Sequence, residues 1–236
     1  RQLAWAHATG HSVDARGYLA TVDANLFRPL SDTARLNFTH GSGSELVDTP
    51  TRPAKMRALH SSSALAVNVF DHWQERDAGP LLRTLGIDGR LASLRFEAQY
   101  PTGLGGTPPN LDVALTLTDG HVIAIESKFS EWLTPKPQSR KPFSRSYFPP
   151  GEGVWARRGL PRCQALAEAL AAKNAHALHL DVTQLLKHAL GLAVNQPDGF
   201  RLLYVFYDQP GPESERHRAE IADFAAQVDP TLGFRA

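Results

Sequence analysis

The sequence predicts a mixed α/β layer structure, a central sheet flanked by helices. Three observations carry that prediction. Segments 91–100, 111–118 and 121–129 read as strands, and the last two flank an Asp119-Gly120 pair suited to a tight hairpin turn. Segment 200–208, FRLLYVFYD, is apolar almost throughout, the pattern of a strand buried on both faces. Stretches of helical composition or periodicity lie before, between and after these strands.

Residues 1–57 mix polar residues with Gly, Ser and Pro, as in THGSGSELVDTPTRP, and read as an irregular N-terminal arm with one short helix. The rest, 58–236, reads as one domain. Ser61 to Ser63 offer N-caps, and Leu65, Val69, Phe70 and Trp73 recur at helical spacing, so a helix is expected over 62–76. A second short helix fits GPLLRTLG, 79–86. The first strand, LASLRFEAQY, alternates and carries aromatics. PTGLGGTPPN then breaks regular structure, and its glycines lack the spacing and helix context of a phosphate-binding loop. After the hairpin, residues 133–158 form a Pro-rich basic insertion. Helices are expected over 161–175, 181–193 and 213–228, the last with acidic residues near its start.

The totals exclude several classes. At 236 residues, 42% hydrophobic and 21% charged, the chain is an ordinary globular protein rather than a disordered or fibrous one. A net charge of +1 does not argue against nucleic acid, because binding needs a basic region, not a basic whole. The single cysteine, Cys163, rules out an internal disulfide framework and a cysteine-only zinc site, and suits a reducing compartment. The ten histidines show no zinc-finger spacing. No apolar stretch approaches the roughly 20 residues that span a bilayer, and there is no signal-peptide core. A cytoplasmic protein without membrane contact is expected.

The hairpin holds the residues that bear on function. Glu126 and Lys128 are two apart in one strand, so they share a face. The turn at 119–120 sets Asp112 opposite roughly residues 126–128. The remaining face, Val122, Ile123, Ile125, Ser127 and Phe129, is mostly apolar and suits the core. Two close carboxylates repel, and a hard divalent cation such as Mg²⁺ removes the repulsion. A lysine beside that cation can orient or help deprotonate an attacking water, or steady a transition-state charge. The competing reading is a hairpin with solvated charges, in which Glu126 and Lys128 form an ordinary surface ion pair.

PNLDV followed by IAIESKF resembles the PD-(D/E)xK nuclease superfamily. SSSALAVNVFDHW, LRFEAQYPTGLGGTPPNLDV, ESKFSEWL, CQALAEAL and QLLKHALGL are similar to bacterial restriction-endonuclease-like proteins, over about residues 58–208. The resemblance implies a restriction-endonuclease-like core of helix, three strands, helix and strand. It implies a Mg²⁺-dependent nuclease acting on DNA, with Mn²⁺ as a substitute metal, in a restriction or defence role. Asp112 would be the motif aspartate, Glu126 the second metal carboxylate and Lys128 the catalytic lysine. The sequence departs from the motif at Asn110 and Leu111, where a Pro-Asp pair would place proline directly before Asp112. A homodimer is one assembly compatible with cutting two strands. A non-cleaving binding module with this fold, or a subunit of a larger defence complex, are the alternatives.

Further candidates surround these three. The superfamily often adds an acid from the first helix or strand, and Glu97 is the choice here, as a third metal ligand. Strand parity turns Arg95, Glu97 and Gln99 away from Leu94, Phe96 and Ala98. Asp71 and Glu75 are the runners-up, and Asn68 could also reach the site. The Ile125 carbonyl is a further donor. Glu131 reads as a cap or as a group behind the site. Gln184, Lys187 and His188 share one helix face, and a glutamine so placed lies near the metal ligands in some exonuclease branches. In the insertion, Lys136, Arg140, Lys141, Arg145, Arg157 and Arg158 face one acid, Glu152, with Tyr147, Phe148 and Trp155 between them. Cations neutralise phosphates and aromatics can stack on bases, so Lys136, Arg140, Lys141, Arg145 and Lys187 are expected to bind nucleic acid. The alternative is a solvated loop anchored to the core by its aromatics.

Overall fold

The computed structural model describes residues 2–41, 44–137, 141–151 and 153–236. Four helices come first: α1 (Gln2–Ala8), α2 (Asp32–His40), α3 (Ser62–Phe70) and α4 (Gly79–Thr84). Strands β1 (Leu91–Gln99), β2 (Asn110–Leu117) and β3 (Val122–Lys128) follow as an antiparallel meander. The chain then crosses through α5 (Pro161–Ala171) and α6 (Val182–Asn195) to β4 (Phe200–Phe206), which pairs with β3 in parallel, and closes with α7 (Pro212–Gln227). A parallel neighbour requires such a crossover. The result is an α/β fold, a mixed sheet ordered β1-β2-β3-β4 and flanked by helices. Helix, three strands, helix, strand is the order expected of a restriction-endonuclease-like core.

Strand alternation divides the core into two layers. Val113, Leu115, Ile123, Ile125 and Leu203 pack with Phe38, Val67, Phe70 and Leu82 from α2, α3 and α4. Ala114, Val122, Ala124, Leu202 and Tyr204 pack with Leu166, Leu186, Leu190 and Phe224 from α5, α6 and α7. Val122 therefore joins the layer of Ala124, not that of Ile123 as expected. Regular alternation begins at Val122 itself, so it shares parity with Glu126. Covered on both sides, β3 is buried along nearly its whole length, and its charges do not face open solvent.

The 62–76 helix stops at Phe70, and Asp71–Gln74 tighten into a 3₁₀ turn. Ser61 caps its start, the hydroxyl accepting from Ala64 N at 3.1 Å. The segment before residue 58 carries two helices rather than one. From α2, Ala34 and Phe38 are buried, and Phe38 stacks on Phe96 at 5.4 Å between ring centres. Asn68 ties this segment to α3, its amide donating to Asn25 O and its oxygen accepting from Phe27 N.

Candidate active site

The β2–β3 register sets Val113 against Ile125. One residue further along, the same register brings Asp112 across from Glu126. Here the Asp112 carboxylate enters the ladder, with Oδ2 accepting from Ser127 N at 2.6 Å. Glu126 is about 1% exposed. Its Oε1 lies 2.5 Å from Lys128 Nζ, and its Oε2 lies 3.1 Å from Nε2 of His188, which is as deeply buried. Each Glu126 oxygen is thus faced by a nitrogen at contact distance, one from Lys128 and one from His188. His188 reaches the site because α6 runs close to the end of β1. At Gly191 a Cβ would collide with the Tyr100 carbonyl oxygen, so only glycine permits the approach.

Burial alone would raise the Glu126 carboxyl, but the Lys128 ammonium and the His188 ring outweigh it and hold Glu126 down at about 2. Burial and then the Glu126 charge push Asp112 well above the ordinary carboxylate range, against the pull of Lys128 and the Ser127 amide. Burial pulls Lys128 down, yet Glu126 and Asp112 prevail and raise it. The set is therefore polarised, with an ionised glutamate, a firmly protonated lysine and an aspartate that resists ionisation.

Asp112 opens into a cleft of about 500 Å³, whose lining includes Glu97, Asn110, Glu131 and Gln184. Glu97 lies mid-strand yet has φ +49°, a backbone region that non-glycine residues rarely enter. Its neighbours hold it there. Asn37 of α2 accepts from Phe96 N at 2.8 Å, and Asn110 donates to Glu97 Oε2 at 2.6 Å. Beyond this kink the Ala98–Leu111 pair joins the α5–α6–α7 layer, although Phe96 and Val113 belong to the other. Burial raises the Glu97 carboxyl, partly offset by the Asn110 amide.

The other candidates divide. The Asp71 carboxylate accepts from Ser31 N and Ser31 Oγ at 2.9 and 2.6 Å and holds the start of α2. Glu75 is exposed outside the cleft, and Asn68 is committed to the N-terminal segment. Glu131 lines the cleft but caps the chain after β3, accepting from Phe129 N and Ser130 N. Ile125 lies mid-sheet, paired with both Val113 and Leu203. Gln184, one turn before His188, also lines a neighbouring cavity of about 610 Å³ with Lys136 and Lys187. Lys136 pairs with Asp181 at 2.9 Å, and Lys187 Nζ lies 5.6 Å from the Phe143 ring centre and 5.9 Å from that of Tyr147. Lys141, Arg145, Arg157 and Arg158 are exposed, and Arg140 and Glu152 lie outside the described residues. The aromatics act as anchors: Trp155 is buried, donates to Leu186 O at 2.8 Å and stacks on Tyr147.

Sequence reasoning gave no role to Glu45, Arg52, Lys55 and His60, which line the same cleft from the segment before α3. The sequence sets His188 on one helix face with Gln184 and Lys187 but does not show its contact with Glu126. Gln184 and His188 one turn apart was the available signal for α6, and nothing local marked the others.

Asp112 and Glu126 are the side chains suited to hold a divalent cation. Carboxylate oxygens are what a hard cation takes, and those of Glu126 face Lys128 and His188. Glu97 supplies a further carboxylate on the cleft. Among the described residues no group of three or more His, Cys, Asp and Glu side chains is gathered as a ready ligand set. No helix among them is long and apolar enough to cross a membrane. No curated protein and no solved structure matches the chain. The family described as "Restriction Endonuclease associating with ARP" matches residues 5–229, nearly the whole sequence, and the chain belongs to this restriction endonuclease family.

Proposed function

We propose that the chain is a metal-dependent deoxyribonuclease that hydrolyses DNA phosphodiester bonds, in a cytoplasmic restriction or defence role. One observation carries the reading: Asp112, Glu126 and Lys128 converge where the β2–β3 ladder ends, with Asp112 open to a cleft. Asp112 and Glu126 hold the cation, Mg²⁺ or in its place Mn²⁺. When bound, it offsets the two carboxylates and stabilises negative charge on the phosphate and leaving oxygen. Lys128 acts as an ammonium. Held protonated by both carboxylates, it orients the attacking water and steadies the growing charge rather than accepting a proton. Glu97, whose carboxyl burial has raised, is the side chain suited to exchange a proton at the cleft. Lys136 and Lys187, which line the neighbouring cavity, and the exposed Lys141 and Arg145 of the insertion bind the DNA backbone. A homodimer would supply one site per strand.

A second reading is a module that binds nucleic acid without cutting it. It is favoured by the pairing of Glu126 with both Lys128 and His188. Incubation of circular and linear DNA with and without Mg²⁺ or Mn²⁺, beside Lys128→Ala, separates the two. Cutting by wild type only with metal, and none by the variant, is expected. No cutting by wild type with either metal, or equal cutting by both proteins, would sink the nuclease reading.

A further inference from the structure

The loop 44–56 forms one wall of the Asp112 cleft and is built to hold its shape. Its ends are zipped together, Lys55 N donating to Ser44 O and Met56 N to Glu45 O, both at 3.0 Å. Its tip is a turn in which Thr49 N donates to Arg52 O at 2.8 Å and Arg52 N donates to Thr49 Oγ1 at 3.0 Å. Asp48, itself exposed, braces the turn, accepting from Ala54 N at 2.7 Å and pairing with Arg57 at 2.6 Å. Met56 is fully buried and anchors the base.

This frame holds Arg52 and Lys55 at the rim of the cleft that Asp112 opens into. Arg52 is exposed, and the Lys55 side chain is half exposed while pairing with the buried Glu45 at 2.9 Å. The same cleft carries the carboxyl groups of Glu45, Glu97, Asp112 and Glu131, which repel a polyanion to the extent that they are ionised. Rim cations counter that repulsion. Lys136 and Lys187 line the neighbouring cavity, which shares Gln184 with this cleft.

We propose that loop 44–56 is a DNA-contacting wall additional to the basic insertion, with Arg52 and Lys55 binding backbone phosphates at the rim of the Asp112 cleft. The proposal rests on the nuclease reading for its substrate, but it is tested by binding, not by cutting. The test uses the full chain carrying Lys128→Ala, with and without Arg52→Glu, and a labelled DNA duplex titrated over a series of salt concentrations. Arg52 is exposed and its turn is held by backbone and Thr49, so Arg52→Glu is expected to melt like its parent. The expected result is binding weaker by on the order of tenfold at low salt, with the slope of log Kd against log salt reduced by about one. Equal affinity and slope in the two proteins would overturn the proposal, and so would the absence of measurable DNA binding by the parent. If wild type fails to cut DNA while Arg52→Glu still weakens binding, the nuclease reading falls and the wall stands. Lys55→Gln serves as the second variant, read for the same loss of affinity beside a melting curve, since it leaves Glu45 with a weaker partner.

Discussion

His188 Nε2 stands 3.1 Å from Glu126 Oε2, and each side chain is about 1% exposed. A buried carboxylate that loses a partner bears its desolvation penalty with less compensation. His188→Ala is therefore expected to destabilise the fold by about 2–3 kcal/mol, measured by urea unfolding. His188→Gln, which can place an amide donor near the Nε2 position, is expected to recover at least half of that loss. Unchanged stability in the alanine variant would mean that Lys128 alone satisfies Glu126.

Asp112 makes the opposite contribution. Burial and the Glu126 charge raise its carboxyl, so the ionised form is strained in the metal-free protein. A raised folded value means that the folded state holds this proton more tightly than the unfolded chain, so stability contributed here declines as pH rises past the ordinary 3.8. Asp112→Asn removes the charge and keeps an oxygen to accept from Ser127 N. At neutral pH without metal, its stability should rise by about 1–2 kcal/mol, or roughly 2–8 °C in Tm, while metal-dependent cutting disappears. A less stable Asn variant would show that the Asp112 charge is well compensated as it stands.

Much of the fold was legible because its signals are local. The Asp119-Gly120 turn, the apolar run at β4 and the period of α6 each need only a few neighbouring residues. The alignment of Asp112 with Glu126 was legible as well, since a short hairpin fixes register. What sequence could not reveal depends on distant packing. Glu97 reads as an ordinary alternating residue, whereas Asn37 and Asn110, brought in by α2 and β2, bond to this part of β1, where Glu97 has φ +49°. The resemblance covered about 58–208, whereas the family match reaches back to residue 5. The segment before α3 is turn-rich, and its place in the cleft follows from tertiary hydrogen bonds that leave no periodic trace.

The kink at Glu97 can be tested directly. An L-residue other than glycine is disfavoured in left-handed backbone by roughly 1–2 kcal/mol. Both Glu97→Gly and Glu97→Ala remove the carboxylate and its bond to Asn110, but only glycine relieves the backbone. Glu97→Gly is expected to be about 1 kcal/mol more stable than Glu97→Ala by thermal or urea unfolding, reversing the order found at an ordinary strand position. Both should lower the cutting rate if the carboxylate serves the reaction. An alanine variant as stable as the glycine variant would mean that β1 relaxes to an extended path once the side chain is gone.

His217 gives a pH dependence separate from the active site. It is fully buried, stacked on Trp132 at 4.5 Å between ring centres, with Nε2 3.0 Å from the Tyr204 hydroxyl. Burial lowers it from the ordinary 6.5 to about 4, against the pull of the Glu220 and Asp208 carboxylates and with His179 pushing the same way. The unfolded chain takes up this proton near pH 6.5, while the folded protein resists until about pH 4. Between those values the unfolded state binds more protons, so stability falls as pH falls. The loss is absent above about pH 7 and reaches up to about 3 kcal/mol near pH 4, at about 1.4 kcal/mol for each tenfold change in proton affinity. Urea unfolding of wild type and His217→Gln at intervals from pH 7.5 to 4 measures it. The variant should start lower, because Tyr204 and Trp132 lose a fitted partner, but its curve should be flatter across this window. Asp48, Asp119 and Asp208 have carboxyls held below their ordinary values and contribute mainly at the acid end, while the raised carboxyls of Asp112 and Glu97 act in the opposite sense across this window, so the difference between the two proteins, in which these groups cancel, is what isolates His217. Parallel curves for the two proteins would place the acid sensitivity on another group.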